Sequence, residues 1–103
     1  MREEKKKYLS QYLLQEVKIT RLKTMSDLNQ EFRLEYDRLI NQSLKLRREI
    51  ENKISAVDGG ILSELLFQKY VFGRTLDDIS CVLNYSPRHI ERLHIKALEQ
   101  FKI

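Results

Sequence analysis

Residues 75–101, TLDDISCVLNYSPRHIERLHIKALEQF, decide the fold of this chain. Apolar residues recur at helical spacing in the first half, and Thr75, followed three residues later by an aspartate, predicts the capped start of a short helix. Asn84 predicts the turn that ends this helix, because asparagine tolerates a left-handed backbone. Ser86 and Pro87 predict a second helix, with serine as its N-cap and proline at its first position.

The predicted second helix has one apolar face and one polar face. The apolar face consists of Ile90, Leu93, Ala97, Leu98 and Phe101. We predict that the basic and histidine side chains lie largely off this face; they are Arg88, His89, Arg92, His94 and Lys96. For His94 a DNA-backbone contact, packing at the helix edge and no particular role are the alternatives. Two short helices joined by a tight turn are typical of a helix-turn-helix, whose second helix enters the major groove of DNA. Small Ser80 would let the helices approach closely, and Ile90 would hold them together.

Composition predicts an all-α fold. The 103 residues include three glycines and one proline, and they are rich in leucine, lysine, glutamate and arginine. The net charge is +4, with 13 basic and 9 acidic residues in positions 1–57 and six of each in positions 58–103. The overall basicity is therefore only mild evidence for a nucleic-acid partner.

Several classes of function lack support in the sequence. Cys81 is the single cysteine, so no intrachain disulfide can form, and we expect its thiol to be packed within the first helix of the motif. We find no metal-ligand spacing, no catalytic set and no glycine-rich phosphate loop, so we expect no metal, no cofactor and no enzyme activity. No apolar run is long enough to span a membrane, and we expect a cytoplasmic protein without a membrane partner.

Two apolar stripes precede the motif. The first predicts a helix over about residues 4–23; its members are Leu9, Tyr12, Leu13, Val17, Ile19 and Leu22. Residues 24–27 have capping-box spacing, so we predict a tight turn there, with one continuous helix as the alternative. The lysines at positions 5–7 are expected to form a solvated tail rather than a DNA-binding arm.

The second stripe predicts a helix over about residues 26–57, roughly 45 Å long. Its seam consists of Leu28, Phe32, Tyr36, Leu39, Ser43, Leu46, Ile50, Ile54 and Val57. A helix of this length must bury its apolar side on another surface. The first helix covers part of it, and we predict that a second copy of the chain covers the rest in a homodimer. A self-contained monomer is the alternative.

The Asp58-Gly59-Gly60 break divides the chain into two predicted parts. Residues 1–57 form a long helical hairpin that serves for oligomerisation. Residues 58–103 form a three-helix DNA-binding domain, in which a helix over about residues 61–72 ends at Gly73 and precedes the helix-turn-helix.

Residues 66–101 resemble region 4 of bacterial sigma factors, a helix-turn-helix that reads the −35 promoter element. The matching segments are Tyr70-Val71-Phe72-Gly73, Thr75-Leu76-Asp77-Asp78-Ile79, Tyr85-Ser86-Pro87-Arg88-His89-Ile90 and Lys96-Ala97-Leu98. The whole chain is similar to small phage-encoded late transcription regulators of the RinA/ArpU-like group, in which a helical hairpin precedes a sigma-like motif. The N-terminal resemblance rests on the pattern and order of the helices.

This resemblance implies a set of DNA contacts on the second helix. They are Pro87, Arg88, His89, Glu91 and Arg92, with Lys96 at a basic position of the same helix. Pro87 and Glu91 stand where sigma factors often carry basic residues, so the predicted surface is less positive than a typical region 4. The resemblance also implies RNA polymerase as a partner, in the cytoplasm of a bacterial host.

The residue types support these contacts independently. Arg88 and Arg92 lie four positions apart and can bond guanine edges, whereas Lys96 and the Ser86 hydroxyl can hold phosphates. Arg74 is a candidate phosphate contact, because the first helix of the motif crosses the DNA backbone. The alternative is a solvated face on which the arginines pair with the neighbouring glutamate.

We therefore expect a sequence-specific DNA-binding transcription regulator. One alternative is a helical adaptor that binds RNA polymerase or a sigma factor and has little affinity for DNA. The other is a DNA-packaging adaptor, which would form a ring-like oligomer.

Overall fold

The computed structural model describes residues 2–103 and contains five α-helices, with no strand among these residues. The helices are α1 (Arg2–Leu28), α2 (Arg33–Ser55), α3 (Gly60–Leu66), α4 (Leu76–Leu83) and α5 (Pro87–Gln100). A 3₁₀ turn at Gln30–Phe32 joins α1 to α2, and a π-helical segment at Phe67–Val71 continues α3. The predicted all-α class, with a long helical hairpin followed by three further helices, is confirmed.

The turn of the hairpin lies later in the chain than the sequence predicts. α1 continues through residues 24–27, where the Thr24 hydroxyl donates to the Thr20 carbonyl at 3.2 Å. The helix ends where Asn29 donates its backbone N–H (2.9 Å) and its side-chain amide (3.0 Å) to the Met25 carbonyl. The predicted turn at 24–27 is therefore wrong, because a hydroxyl inside a helix can bond the carbonyl four residues back instead of capping a new helix.

The later turn removes two residues from the predicted seam of α2. This helix begins at Arg33 rather than near residue 26, and Leu28 and Phe32 lie at the hairpin tip, 77% and 50% exposed. Beyond the tip the predicted stripe is confirmed. Its buried members on α2 and just beyond it are Ser43, Ile50, Ile54 and Val57.

One core joins the root of the hairpin to the C-terminal helices. Its buried members are Leu9, Tyr12, Ile50, Ile54, Val57, Leu62, Leu66, Tyr70, Ala97, Leu98 and Phe101. The packing is therefore continuous across the Asp58-Gly59-Gly60 break. The assignment of oligomerisation to residues 1–57 and of DNA binding to residues 58–103 stays a prediction. Ile19, Leu22 and Ile40 form a second, smaller cluster within the hairpin.

The end of α3 is wider than an ordinary α-helix. The Phe72 N–H donates to the Phe67 carbonyl, five residues back, at 3.0 Å. Gly73 then takes a left-handed backbone with φ of 72°, and the Arg74 N–H donates to the Gln68 carbonyl at 3.0 Å. This bond closes the helix end as left-handed glycine caps do. The glycine stop is as predicted, but the π-helical segment is not.

Replacing Gly73 with alanine is expected to lower the free energy of unfolding by about 1–2 kcal/mol, because an L-residue is strained in the left-handed region. The added Cβ would also lie 3.4 Å from the Leu13 side chain. Urea unfolding followed by circular dichroism measures the change. Gly60→Ala is the matched control, since a Cβ there has open space within α3, and its stability should stay equal or rise. Equal losses in both variants would contradict this account of Gly73.

Candidate nucleic-acid interface

α4 begins at the cap that the sequence predicts. The Thr75 hydroxyl accepts the Asp78 N–H at 3.1 Å, and the Asp78 carboxylate accepts the Thr75 N–H at 3.3 Å. Asn84 ends the helix with φ 60° and ψ 42°. The capping box and the left-handed asparagine are therefore confirmed, and together they fix the length of α4.

The turn between α4 and α5 spans residues 84–86. The Tyr85 N–H donates to the Ser80 carbonyl at 3.1 Å, and the Ser86 hydroxyl accepts the His89 N–H at 3.2 Å. The Tyr85 ring also meets the His89 ring edge-on, with centroids 5.0 Å apart. Because Ser86 caps α5 as predicted, the direction in which α5 leaves the turn is fixed by local bonds.

α4 and α5 meet over a small apolar cluster. Leu65, Ile79 and Ile90 are its fully buried members. Ser80 is also buried, and its hydroxyl is satisfied because it donates to the Asp77 carbonyl at 2.7 Å. Ile90 thus takes the role that the sequence predicts for it, and Ser80 is buried as its predicted role requires.

A row of three cations lies on the exposed side of α5. Arg88, Arg92 and Lys96 are each four positions from the next and therefore share one side of the helix. No ion pair among residues 2–103 involves any of the three, although Glu91 is also exposed. The glutamate pairing of the predicted alternative is not formed within residues 2–103, whereas the face is exposed to solvent as that alternative also predicts. The row extends over roughly 12 Å of helix and carries three positive charges.

The other predicted site residues flank this row. Ser86 and Pro87 are exposed at the N-terminal end of α5, and His89 is half-buried beside the turn. Arg74 stands apart, directly before the N-cap of α4, where its Nη1 donates to the Gln68 Oε1 at 2.6 Å.

His94 is buried, which corrects its placement largely off the apolar face and agrees with packing at the helix edge, one of the three alternatives for this residue. Its Nε2 is 2.8 Å from the Tyr70 hydroxyl. Burial, together with the nearby charges of Lys69 and Lys6, lowers the pKa of His94 to about 4. Burial also raises the pKa of Tyr70 to about 12. The pair is therefore a neutral hydrogen bond that ties α5 to the end of α3.

Two further predictions are wrong. Cys81 is exposed on α4 rather than packed, since Ile79 and Ser80 occupy the side that faces the core. The lysines at positions 5–7 lie within α1 rather than in a tail, and the Lys5 ammonium donates to the Leu98 carbonyl at 2.8 Å, although Lys7 is exposed to solvent. That bond satisfies a backbone group at the C-terminal end of α5, a role that local sequence does not reveal.

Two kinds of site are absent from the part of the chain that the structure describes. No three histidine, cysteine, aspartate or glutamate side chains in residues 2–103 converge to hold a metal ion. Over the same range, no helix combines the length and the apolar character needed to cross a bilayer. The chain matches no protein-family model, no curated protein and no solved structure.

Acidification is expected to destabilise the protein between about pH 6.5 and about pH 4. The folded pKa of His94, about 4, lies below its ordinary value of 6.5. The unfolded chain therefore binds a proton in this window that the folded chain does not. The stability from neutral His94 is intact above pH 6.5 and falls with pH, by at most about 1.4 kcal/mol per unit.

Urea unfolding at pH 7, 6 and 5 tests this expectation. His94→Gln keeps a neutral hydrogen-bonding side chain and should lose much of the pH dependence. His89→Gln changes the other histidine and should keep the pH dependence of the wild type. Equal slopes in His94→Gln and in the wild type would show that His94 does not control the response to acid.

Proposed function

We propose that this chain is a sequence-specific DNA-binding transcription regulator, whose α5 enters the major groove at a promoter-proximal site. The row of Arg88, Arg92 and Lys96 carries this proposal, because it is exposed and unpaired on a helix whose opposite face is buried. Arginine binds guanine through two hydrogen bonds, and lysine holds phosphates. A helix about 10 Å across fits the major groove.

The remaining residues of this face have complementary roles. Ser86 and Pro87 begin α5, where the N-terminal residues of the second helix meet base edges. Glu91 is an exposed hydrogen-bond acceptor and suits the amino group of cytosine, whereas phosphates would repel it. Half-buried His89 contacts a base or a phosphate, and Arg74 holds a phosphate beside α4.

The resemblance to sigma region 4 and to RinA/ArpU-like regulators extends the proposal. The protein would be encoded by a phage or prophage and would act in the host cytoplasm. It would bind at a promoter and recruit or reposition RNA polymerase, without making or breaking covalent bonds. Six basic and six acidic residues in positions 58–103 give that region no net charge, so assistance from a second binding partner is expected.

We further propose that the hairpin forms a homodimer. Large apolar side chains are exposed along α1 and at the tip; they are Leu14, Val17, Leu28, Phe32 and Leu34. Helix-turn-helix proteins commonly bind two half-sites as dimers, which doubles the number of phosphates neutralised.

Arg88→Ala and Arg92→Ala are each expected to weaken specific DNA binding by about 1–3 kcal/mol, because each removes a base or phosphate contact. Fluorescence anisotropy with a labelled operator measures the loss. Arg38→Ala removes an exposed arginine from the hairpin and should bind like the wild type. Wild-type affinity in both α5 variants would exclude α5 as the DNA-reading helix.

Val17→Glu is expected to weaken dimerisation at least about tenfold, because burying an unpaired carboxylate in an apolar interface is unfavourable. Sedimentation equilibrium measures the dimer dissociation constant. Val82→Glu is the matched control: this valine is 53% exposed, comparable to 68% for Val17, but it lies on α4. A wild type that is monomeric throughout, or a Val17→Glu variant that dimerises normally, would contradict the hairpin dimer.

A fragmented pool of the source genome tests the function directly. The protein is incubated with the pool at two salt concentrations, and the retained DNA is sequenced. One enriched site upstream of a gene block supports a sequence-specific regulator. Salt-sensitive retention without enrichment contradicts specificity, and no retention at either concentration favours a protein adaptor that a pull-down with RNA polymerase would reveal.

A further inference from the structure

The side-chain amide of Gln68 is buried, and both of its polar atoms form hydrogen bonds. It is 9% exposed, and its Nε2 donates to the Glu64 Oε1 at 2.8 Å. Its Oε1 accepts the Arg74 Nη1 at 2.6 Å. Glu64 and Arg74 are both exposed, so the buried amide links one exposed residue to another. Nothing in the helix-turn-helix itself requires such a link.

The backbone repeats this connection between Gln68 and Arg74. The Arg74 N–H donates to the Gln68 carbonyl at 3.0 Å, and left-handed Gly73 turns the chain back over the π-helical segment. Arg74 is therefore held by both its main chain and its side chain to a single buried residue. An exposed arginine is usually free to sample many rotamers, and this one is not.

The link orders Arg74 without neutralising it. Gln68 is uncharged and takes one of the five N–H donors of the guanidinium, so the other donors and the whole positive charge stay available. No ion pair within residues 2–103 involves Arg74. A carboxylate in the place of Gln68 would order the side chain equally well but would cancel its charge.

The start of α4 needs such a cation if it is to meet DNA. The first helix of a helix-turn-helix crosses the phosphate backbone, and Arg74 directly precedes its N-cap. The positive end of the α4 dipole would favour a phosphate, but Asp77 and Asp78 lie in the first turn and oppose it. Attraction of a phosphate to this end of α4 therefore depends on Arg74.

We propose that Gln68 is a positioning residue that orients Arg74 to hold one DNA phosphate beside the start of α4. This inference rests on the proposed DNA-binding function, which includes the Arg74 phosphate contact, and adds the residue that orders that contact. Because Arg74 is ordered when the protein folds, little of its conformational freedom is lost on binding. The contact is electrostatic and independent of base sequence.

A double-mutant cycle tests the proposal in the full-length chain. Binding to one operator duplex is measured at several salt concentrations for the wild type, Arg74→Ala, Gln68→Met and the double variant. Methionine keeps the length of glutamine and removes the acceptor. Arg74→Ala should weaken binding about tenfold and reduce the slope of log K against log salt by about 0.9. Gln68→Met should weaken binding about threefold in the wild-type background. In the Arg74→Ala background the same substitution should cause no further loss.

Two controls separate positioning from folding. Gln15→Met removes another buried amide, 8% exposed and on α1, and should leave DNA binding unchanged. If Gln68→Met fails to fold, Gln68→Asn keeps a neutral amide that is too short to reach Arg74, and it should reduce affinity only while Arg74 is present. Thermal unfolding of each variant shows which of them fold.

The outcomes distinguish this proposal from the proposed function. A wild type that binds no DNA overturns both. A wild type that binds DNA, with Arg74→Ala unchanged in affinity and salt slope, overturns the phosphate contact alone. Equal losses from Gln68→Met with and without Arg74 would show that Gln68 acts through the fold and would overturn the positioning role.

Discussion

Burial of one face of α5 is the constraint on which the rest of this structure depends. Ile90 is fully buried against α3 and α4, whereas Leu98 and Phe101 are fully buried in the core that includes the root of the hairpin. These contacts fix the rotation of α5 about its own axis. Once that rotation is fixed, residues half a turn away, such as Arg88 and Arg92, must face outward. The candidate interface is thus a consequence of core packing on the opposite side of the helix.

The hairpin completes α5 as well as packing against it. The last turn of α5 has no basic residue, and Phe101 continues in extended backbone rather than in a left-handed cap. The ammonium of Lys5 on α1 bonds a carbonyl of that last turn, and the ammonium of Lys53 on α2 bonds the Ile103 carbonyl at 2.7 Å. Groups at the end of a helix that lack partners of their own need them from elsewhere in the fold. α1 supplies such a partner to α5 here through Lys5, and α2 holds the segment that follows α5 through Lys53.

Local signals explain how much the sequence could predict. Thr75, Asn84 and Ser86 act through bonds to residues at most four positions away, so the limits of α4 and α5 are readable directly. The predictions that failed concern residues whose environment is set by parts of the chain distant in sequence. His94 is buried because Tyr70, 24 positions away in the chain, provides a partner, and Lys5 is ordered by a carbonyl 93 positions away. The prediction of the hairpin turn failed for another reason. Thr24 has the spacing of a helix cap, but its hydroxyl can equally bond the carbonyl of Thr20 inside a continuing helix.

The continuous core makes the helix-turn-helix a dependent part of a larger cooperative unit. A fragment that began at Asp58 would leave Ala97, Leu98 and Phe101 without the side chains of α1 and α2 that cover them. Folding of the hairpin and the proposed DNA binding by α5 would then be thermodynamically linked, so a change that destabilises either hairpin helix would also reduce the population of folded α5. Substitutions far from any bound ligand can in this way set the apparent affinity without touching the contact surface.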